Sequence, residues 1–451
     1  GAAKEVPELE NEKQVPPDFE ATTNPFHSAL LKSVANAEGL PKTKITSSQL
    51  KGWLDGAQRR GEFKQSERDW LGIDAWLDGK KEVTKQELVD FIRENQVQVK
   101  EVHLTERNGN TIFHDPANNL PGGNNYREIL LTLPGAEYTY SHWPYDNVFA
   151  HVRLNERTDA DGKRVLFVEE VQSDWHQDGR KKGYVDREGL DADELRRSLL
   201  DALRKDDNLG FESSGEALAA IRDHGDYANR WELSADTARF AAEWRKALFG
   251  VPDAPFKKEW PMVVMKRMIR YAAENGFDRI AWTTGEQQAE RYGISKRASK
   301  IVDDNGVLIA RGFNNEVLFF KEVKQDQWAD HIGKDAAEKL ISKTPDEDGL
   351  RSIDGDGLKI GGEGMKAFYD KMLPNELNKY VKKWDARVKP ITIDTPDGAI
   401  VQPSIDVTPA MRDAALESLP LFDLAGDNRS QAPPKEQPRA FLPELEKRVR
   451  N

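Results

Sequence analysis

The stretch Arg164 to Tyr184, RVLFVEEVQSDWHQDGRKKGY, sets strand-forming residues directly against Glu169, Glu170, Gln172, Ser173, Asp174 and His176. Carboxylates, an amide and an imidazole at such close spacing are the groups of acid–base work and of ligand binding. Alternate side chains of a strand face opposite sides, so Glu170, Gln172 and Asp174 are expected on one face and Glu169, Val171 and Ser173 on the other. The turn DADGK makes NVFAHVRLNER the antiparallel neighbour, which sets His151 and Arg153 alongside Glu170 and Gln172. A buried carboxylate needs a paired charge or good hydrogen bonds, and Arg153 and His151 are there to supply them. The cluster reads either as a self-satisfied network that fixes strand register or as a ligand site.

Asp174 and His176 fall where the strand passes into a loop, where sites usually lie. A hydrolase triad of Ser173, His176 and an acid lacks the glycines of a nucleophile elbow. His176, Asp174 and Glu170 match no strong metal-ligand spacing, so no metal site is assigned. Arg180, Lys181, Lys182 and Gly183 join positive charge to backbone freedom, which suits a nucleotide or cofactor pyrophosphate, the plain alternative being a solvated basic turn. Gly361, Gly362 and Gly364 stand between a strand and a helix start, as an anion cradle or as a tight turn needing positive φ. Thr283 and Thr284 end the strand FDRIAWTT just before a helix, the setting of a ligand crevice. Thr284 alternatively only caps that helix, with Gln287 completing a capping box.

The elements that must position these groups divide the chain of 451 residues into an arm expected to be disordered or extended (1–43), a small helical domain (44–106), an α/β main domain (107–185 and 256–422), a helical insertion (186–255) and a polar tail (423–451). In the arm, PFHSALLKSV suggests one short anchoring helix. In the helical domain Thr46 or Ser47 caps a first helix, SERDWLGIDAWLDG forms a second, Thr84 with Glu87 boxes a third, and VQVKEVHLT alternates as a strand. No helix there gathers Arg and Lys on one face, so a packing or interaction module is expected rather than a winged DNA reader. The main domain is expected to be α+β, with a mixed, largely antiparallel sheet flanked by helices. WPMVVMKRMIRYAAENG is its best-signalled helix, opened by Pro261 and closed at Asn275–Gly276, and Pro374 should kink the helix of MKAFYDKMLPNELNKYVKKW.

Charged residues are 32% of the chain and the net charge is −12, which argues against a protein that clamps duplex DNA over most of its surface. The absence of cysteine excludes a disulfide framework and a thiolate site and fits a reducing cytosol or the interior of a particle. No run approaches the about twenty apolar residues of a membrane span, and GAAKEVPELENEK has neither region of a signal peptide.

The strings LFVEEVQSDWHQDGRKKGY, PDAPFKKEWPMVVMKRMIRYAAENGFDRIAWTTGEQQAERY, GGEGMKAFYDKMLPNELNKYVKKW and SIDVTPAMRDAALESLPLF together resemble a module of the large polyvalent proteins of bacteriophages and prophages. That resemblance implies an accessory protein acting on phage or host proteins, in the host cytoplasm or inside the virion, and brings no assigned catalytic residues. The order of elements is also similar to GNAT acyltransferases. In that family a turn of the pattern Arg/Gln-x-x-Gly-x-Gly/Ala binds acyl-CoA; Arg180 to Gly183 match its first half, and Val185 stands where the second small residue should be. This similarity implies Glu169 or Glu170 as general base and Tyr369 as acid toward the departing thiolate. An ADP-ribosyltransferase reading would use Arg127, Ser173 and Glu286. A structural virion component is the remaining alternative.

Overall fold

The computed structural model describes residues 26–41, 43–106, 111–114, 118–139, 143–186, 191–206, 211–223, 232–292, 298–325, 328–332, 334–355, 358 and 363–422. Most of the expected arm, the whole tail, and Gly361 and Gly362 lie outside these residues, as does most of a strand expected at GLKI.

The main sheet has seven strands: β1 Lys100–Thr105, β2 Asn124–Thr132, β3 Val148–Thr158, β4 Arg164–Gln172, β5 Arg279–Trp282, β6 Lys389–Thr395 and β7 Gly398–Asp406. Their order across the sheet is β1-β2-β3-β4-β5-β7-β6. Only β4 and β5 are parallel; every other neighbouring pair is antiparallel. The chain is thus a mixed α/β protein with a largely antiparallel sheet flanked by helices. The strand read at the end of the helical domain is β1, the outer strand of this sheet, because its register continues onto β2.

A parallel pair needs a crossover, and this one runs from β4 through helix α1 (Asp174–Lys182), the insertion, and helix α2 (Trp260–Glu274) into β5. Pro261 lies in the first turn of α2 and Gly276, at φ +69°, follows its last residues, as expected. The apolar side of α2, with Val264, Met268 and Ile269, packs on Val152, Leu154, Leu166 and Val168 of the sheet. Helix α3 (Gly285–Tyr292) follows β5, and helix α4 (Pro409–Glu417), capped by Thr408, follows β7.

Pro374 lacks the N–H that the fourth preceding carbonyl requires, and the helix over Tyr369 changes form just before it: a π-helical stretch, Ala367–Met372, lies between α-helical Glu363–Lys366 and Leu373–Val381. Gly285 is required here: a Cβ would lie 2.3 Å from the Lys366 Cα, so α3 starts against backbone.

Two satellite bodies have cores of their own. Among the described residues the insertion has three helices, Ala192–Leu203, Ser214–Asp223 and Ala235–Phe249, closed around Leu199, Ile221 and Trp244. The hairpin expected within the main domain instead forms, with Lys300–Asp304 and Leu350–Asp354, a separate four-stranded sheet packed on Trp328 and Leu340. In the helical domain Thr46 and Thr84 make capping boxes with Gln49 and Glu87. The second helix is broken at Gly72, φ +63°, into Gln65–Trp70 and Ile73–Asp78. The arm supplies a helix, Ala29–Asn36, and a two-residue strand, Phe26–His27, which pairs in parallel with Leu419–Pro420.

Glu67 joins these parts, accepting from the Ser28 hydroxyl (2.6 Å) and the Leu30 N–H (3.3 Å). Burial pushes its carboxyl up to about 7, against those hydrogen bonds. The folded state therefore holds a proton between pH 4.5 and 7 that the unfolded chain releases, and stability falls as pH rises through that window, by about 3 kcal/mol in all. In urea titrations at pH 4.5 and pH 8, Glu67→Gln should remove this part of the pH dependence and be the more stable chain at pH 8. Equal pH dependence in both proteins would refute the assignment.

Candidate functional site: the polar face of the sheet

The strands β3 and β4 pair as expected at their ends, His151 with Gln172 and Arg153 with Glu170, but Leu154 pairs with Val168. Glu169 is left over: it is the extra residue of a β-bulge. Strict alternation fails there. Leu166 and Val168 share the apolar side with Val171, so Glu169 and Glu170 lie together on the opposite side and not on separate faces. That side receives His151, Arg153, Asn155 and Arg157 from β3 and Glu128 from β2, all buried.

Glu169, fully buried, accepts from Asn155 Nδ2 (2.7 Å), Arg157 Nη2 (3.0 Å), Arg291 Nη2 (2.7 Å) and the Leu120 N–H (3.2 Å). Its carbonyl, freed from the ladder by the bulge, accepts from Thr283 Oγ1 (3.1 Å), Gln288 Nε2 (2.5 Å) and Arg291 Nη1 (2.8 Å). Residue 169 thereby fastens α3 to the sheet. Glu170 accepts from Arg153 Nε (2.6 Å), with His151 Nε2 3.8 Å away. Glu128 accepts from the N–H groups of Ile112 (2.9 Å) and Phe113 (2.6 Å) and from the Tyr126 hydroxyl (3.0 Å). Burial pushes the Tyr126 phenol well above its ordinary range. Burial also pulls the Arg157 guanidinium down, while Glu169 acts the other way.

The residues read from the sequence thus separate. Glu169, Glu170, His151, Arg153 and Thr283 share the polar side. Gln172 and Asp174 bond each other at its end (2.6 Å). Ser173 caps α1, taking the His176 N–H and donating to the Phe149 carbonyl. His176 is buried beside Phe149 and bonds Tyr184 through Nδ1 (2.9 Å). Burial, then the charges of Arg180 and Lys257, hold it down at about 3. The stretch from Arg180 is no turn but the last turn of α1, closed by Gly183 at φ +88°. Carbonyl ends gather there, which favours the lysines and not a phosphate. Thr284 makes a capping box with Gln287 (2.8 and 3.3 Å), and Gly364 is exposed in a four-residue helix.

Tyr369 lies on the other side of the sheet. Its hydroxyl donates to the Val171 carbonyl and accepts the Val171 N–H, both at 3.0 Å. The main-chain ladder from β5 is followed by Thr283 N–H to Val168 O (3.2 Å), and beyond it, where β5 has ended, Tyr369 bonds Val171 in the place of a strand partner. Arg127 bonds Tyr271, Ser173 caps α1 and Glu286 is exposed, so the ADP-ribosyltransferase trio is not assembled.

Glu128, Asn155, Arg157, Gln288 and Arg291 were not singled out from the sequence, although HVRLNER repeats a polar residue at every second position from His151 to Arg157. Gln402 is buried with neither amide atom hydrogen-bonded, as are Gln288 Oε1 and His151 Nδ1. Among the described residues no group of three or more His, Asp or Glu side chains could hold a metal ion, and no helix is long and apolar enough to cross a membrane. No family model, curated protein or solved structure matches the chain.

Removing one partner of a buried pair leaves the other charge uncompensated. Glu169→Gln should therefore lower unfolding free energy in urea by about 3–5 kcal/mol; a loss under about 1 kcal/mol would show that the network carries no such load. For His176, the unfolded chain gains a proton between pH 6.5 and 3 that the folded one does not, so stability should fall as pH drops through that window. His176→Gln should flatten this fall, and an unchanged slope would count against the burial effect.

Proposed function

We propose that the chain is an accessory protein of the phage polyvalent type whose α/β domain is a binding module for a phage or host protein, working in the host cytoplasm or the virion interior. One observation carries the binding reading. The charged side chains of the polar face are committed to each other and to main-chain atoms of the segment above them, which leaves no acceptor position on Glu169 for a substrate proton. The resemblance to polyvalent proteins supports the context.

The transferase alternative retains one support, the parallel pairing of β4 with β5 within the main sheet, whose register ends at Trp282. Its cofactor meets a poor fit. A pyrophosphate placed where β4 enters α1 would meet the Asp174 carboxylate and an N-terminus whose His176 N–H already bonds Ser173. The cations Arg180, Lys181 and Lys182 belong to the other end of that helix. A nucleotide phosphate would meet the same charges.

Calorimetric titration with millimolar acetyl-CoA, beside a thermal-shift measurement, separates the two readings. No heat and no shift are expected; saturable heat with a rise in melting temperature would replace the binding module with the transferase.

A further inference from the structure

The four strands of the satellite sheet, Val317–Glu322, Val307–Arg311, Lys300–Asp304 and Leu350–Asp354 in order across it, turn alternate residues to a core. Ile301, Leu308, Ala310 and Ile353 close there on Trp328 and Leu340. The residues between them point to the opposite face, and Val302, Val307, Ile309, Val317 and Phe320 are no part of that core. Register sets this second face in rows. The middle row is apolar, Val302 opposite Ile309 and Ile309 opposite Phe320. One flanking row holds Lys300, Arg311 and Val317, and the other Asp304, Val307 and Glu322. The fourth strand adds Ser352 to the middle row, Asp354 beside Lys300 and Leu350 beside Asp304. Phe320 is 66% exposed and Val317 52%; Lys300, Asp304 and Glu322 are exposed as well.

A bare apolar row rimmed by charge marks an interaction surface, and the charges here name its occupant. One end of the face carries Lys300 and Arg311 against Asp354 alone, and the other carries Asp304 and Glu322. Such a face is complementary to itself. A second copy, turned by a two-fold axis that crosses the strands, lays its negative end over the positive end of the first, and the reverse, while the apolar rows meet in the middle. Lys300 then faces Asp304 of the second copy, and Phe320 faces its own counterpart. With the strands of the two sheets parallel, lysine would instead lie on lysine, which costs affinity. We propose that the protein self-associates as a two-fold dimer through this face, with the strands of the two sheets running antiparallel. The proposal draws nothing from the polar face of the main sheet.

Sedimentation equilibrium of the full chain from about 1 to 500 µM, where a small interface assembles, should show a reversible monomer–dimer equilibrium. Phe320→Glu sets two carboxylates against each other in the apolar row and should weaken the dimer roughly a hundredfold. Its melting transition should persist, because the side chain it replaces is exposed. Lys300→Glu and Asp304→Lys, each alone, should weaken the dimer roughly tenfold. An equimolar mixture of these two variants should recover it, since each altered charge then meets its opposite on the other chain. That recovery belongs to the antiparallel two-fold arrangement, and it needs only exposed positions to be changed. A dimer that survives Phe320→Glu overturns the proposal, and so does a mixture that associates no more tightly than either variant alone. If Phe320→Glu loses its melting transition, the mixture decides. A monomer at every concentration leaves the face to an unlike partner and overturns the proposal as well.

Discussion

One extra residue in β4 governs the arrangement of everything around it. With strict alternation, Glu170 would follow Val168 into the apolar layer beneath α2, an unpaired carboxylate among Val152, Leu154 and Met268. Burying such a charge costs several kcal/mol. The bulge at Glu169 moves it to the opposite side and brings Val171 in instead. The same step turns the Glu169 carbonyl out of the ladder, where α3 is fastened through Gln288 and Arg291. Sheet, helix and covering segment therefore meet at a single position.

A network so placed is balanced. Glu128, Glu169 and Glu170 stand against Arg153, Arg157 and Arg291, so little net charge is held out of water. Buried pairs of this kind add little stability over apolar residues of equal volume, yet losing one partner is costly. Their effect is to select: another register of β4 would strand ionised groups that this one satisfies. The covering segment gains in the same way, since its main-chain groups would otherwise be buried without partners.

Much of this frame was legible in the sequence. The caps at Thr46, Thr84 and Thr408 and the bounds of α2 follow from local chemistry, and the DADGK turn placed His151 and Arg153 against Gln172 and Glu170. The bulge was not legible, because Val-Glu-Glu-Val carries no glycine or turn residue to mark an added position. Some partners of Glu128 and Arg157 were hidden for another reason: they are backbone atoms of Ile112, Phe113, Leu120 and Pro121, and any residue type offers those. Pro374 marks a disturbance in its helix without saying that a π-helical stretch will precede it, and the packing of Phe368 on Trp260 and of Tyr369 against Val171 accompanies that form.

The short parallel pairing of Phe26–His27 with Leu419–Pro420 has a mechanical side. Two parallel strands pulled from the start of one and the end of the other slide past each other, so their hydrogen bonds are loaded together and cannot open one by one. The Lys266 ammonium holds the carbonyls of Pro420 (2.8 Å) and Leu421 (3.3 Å) behind them. Tension arriving along the chain from either side thus meets a shear clasp before it reaches the sheet, and the polar face lies behind that clasp.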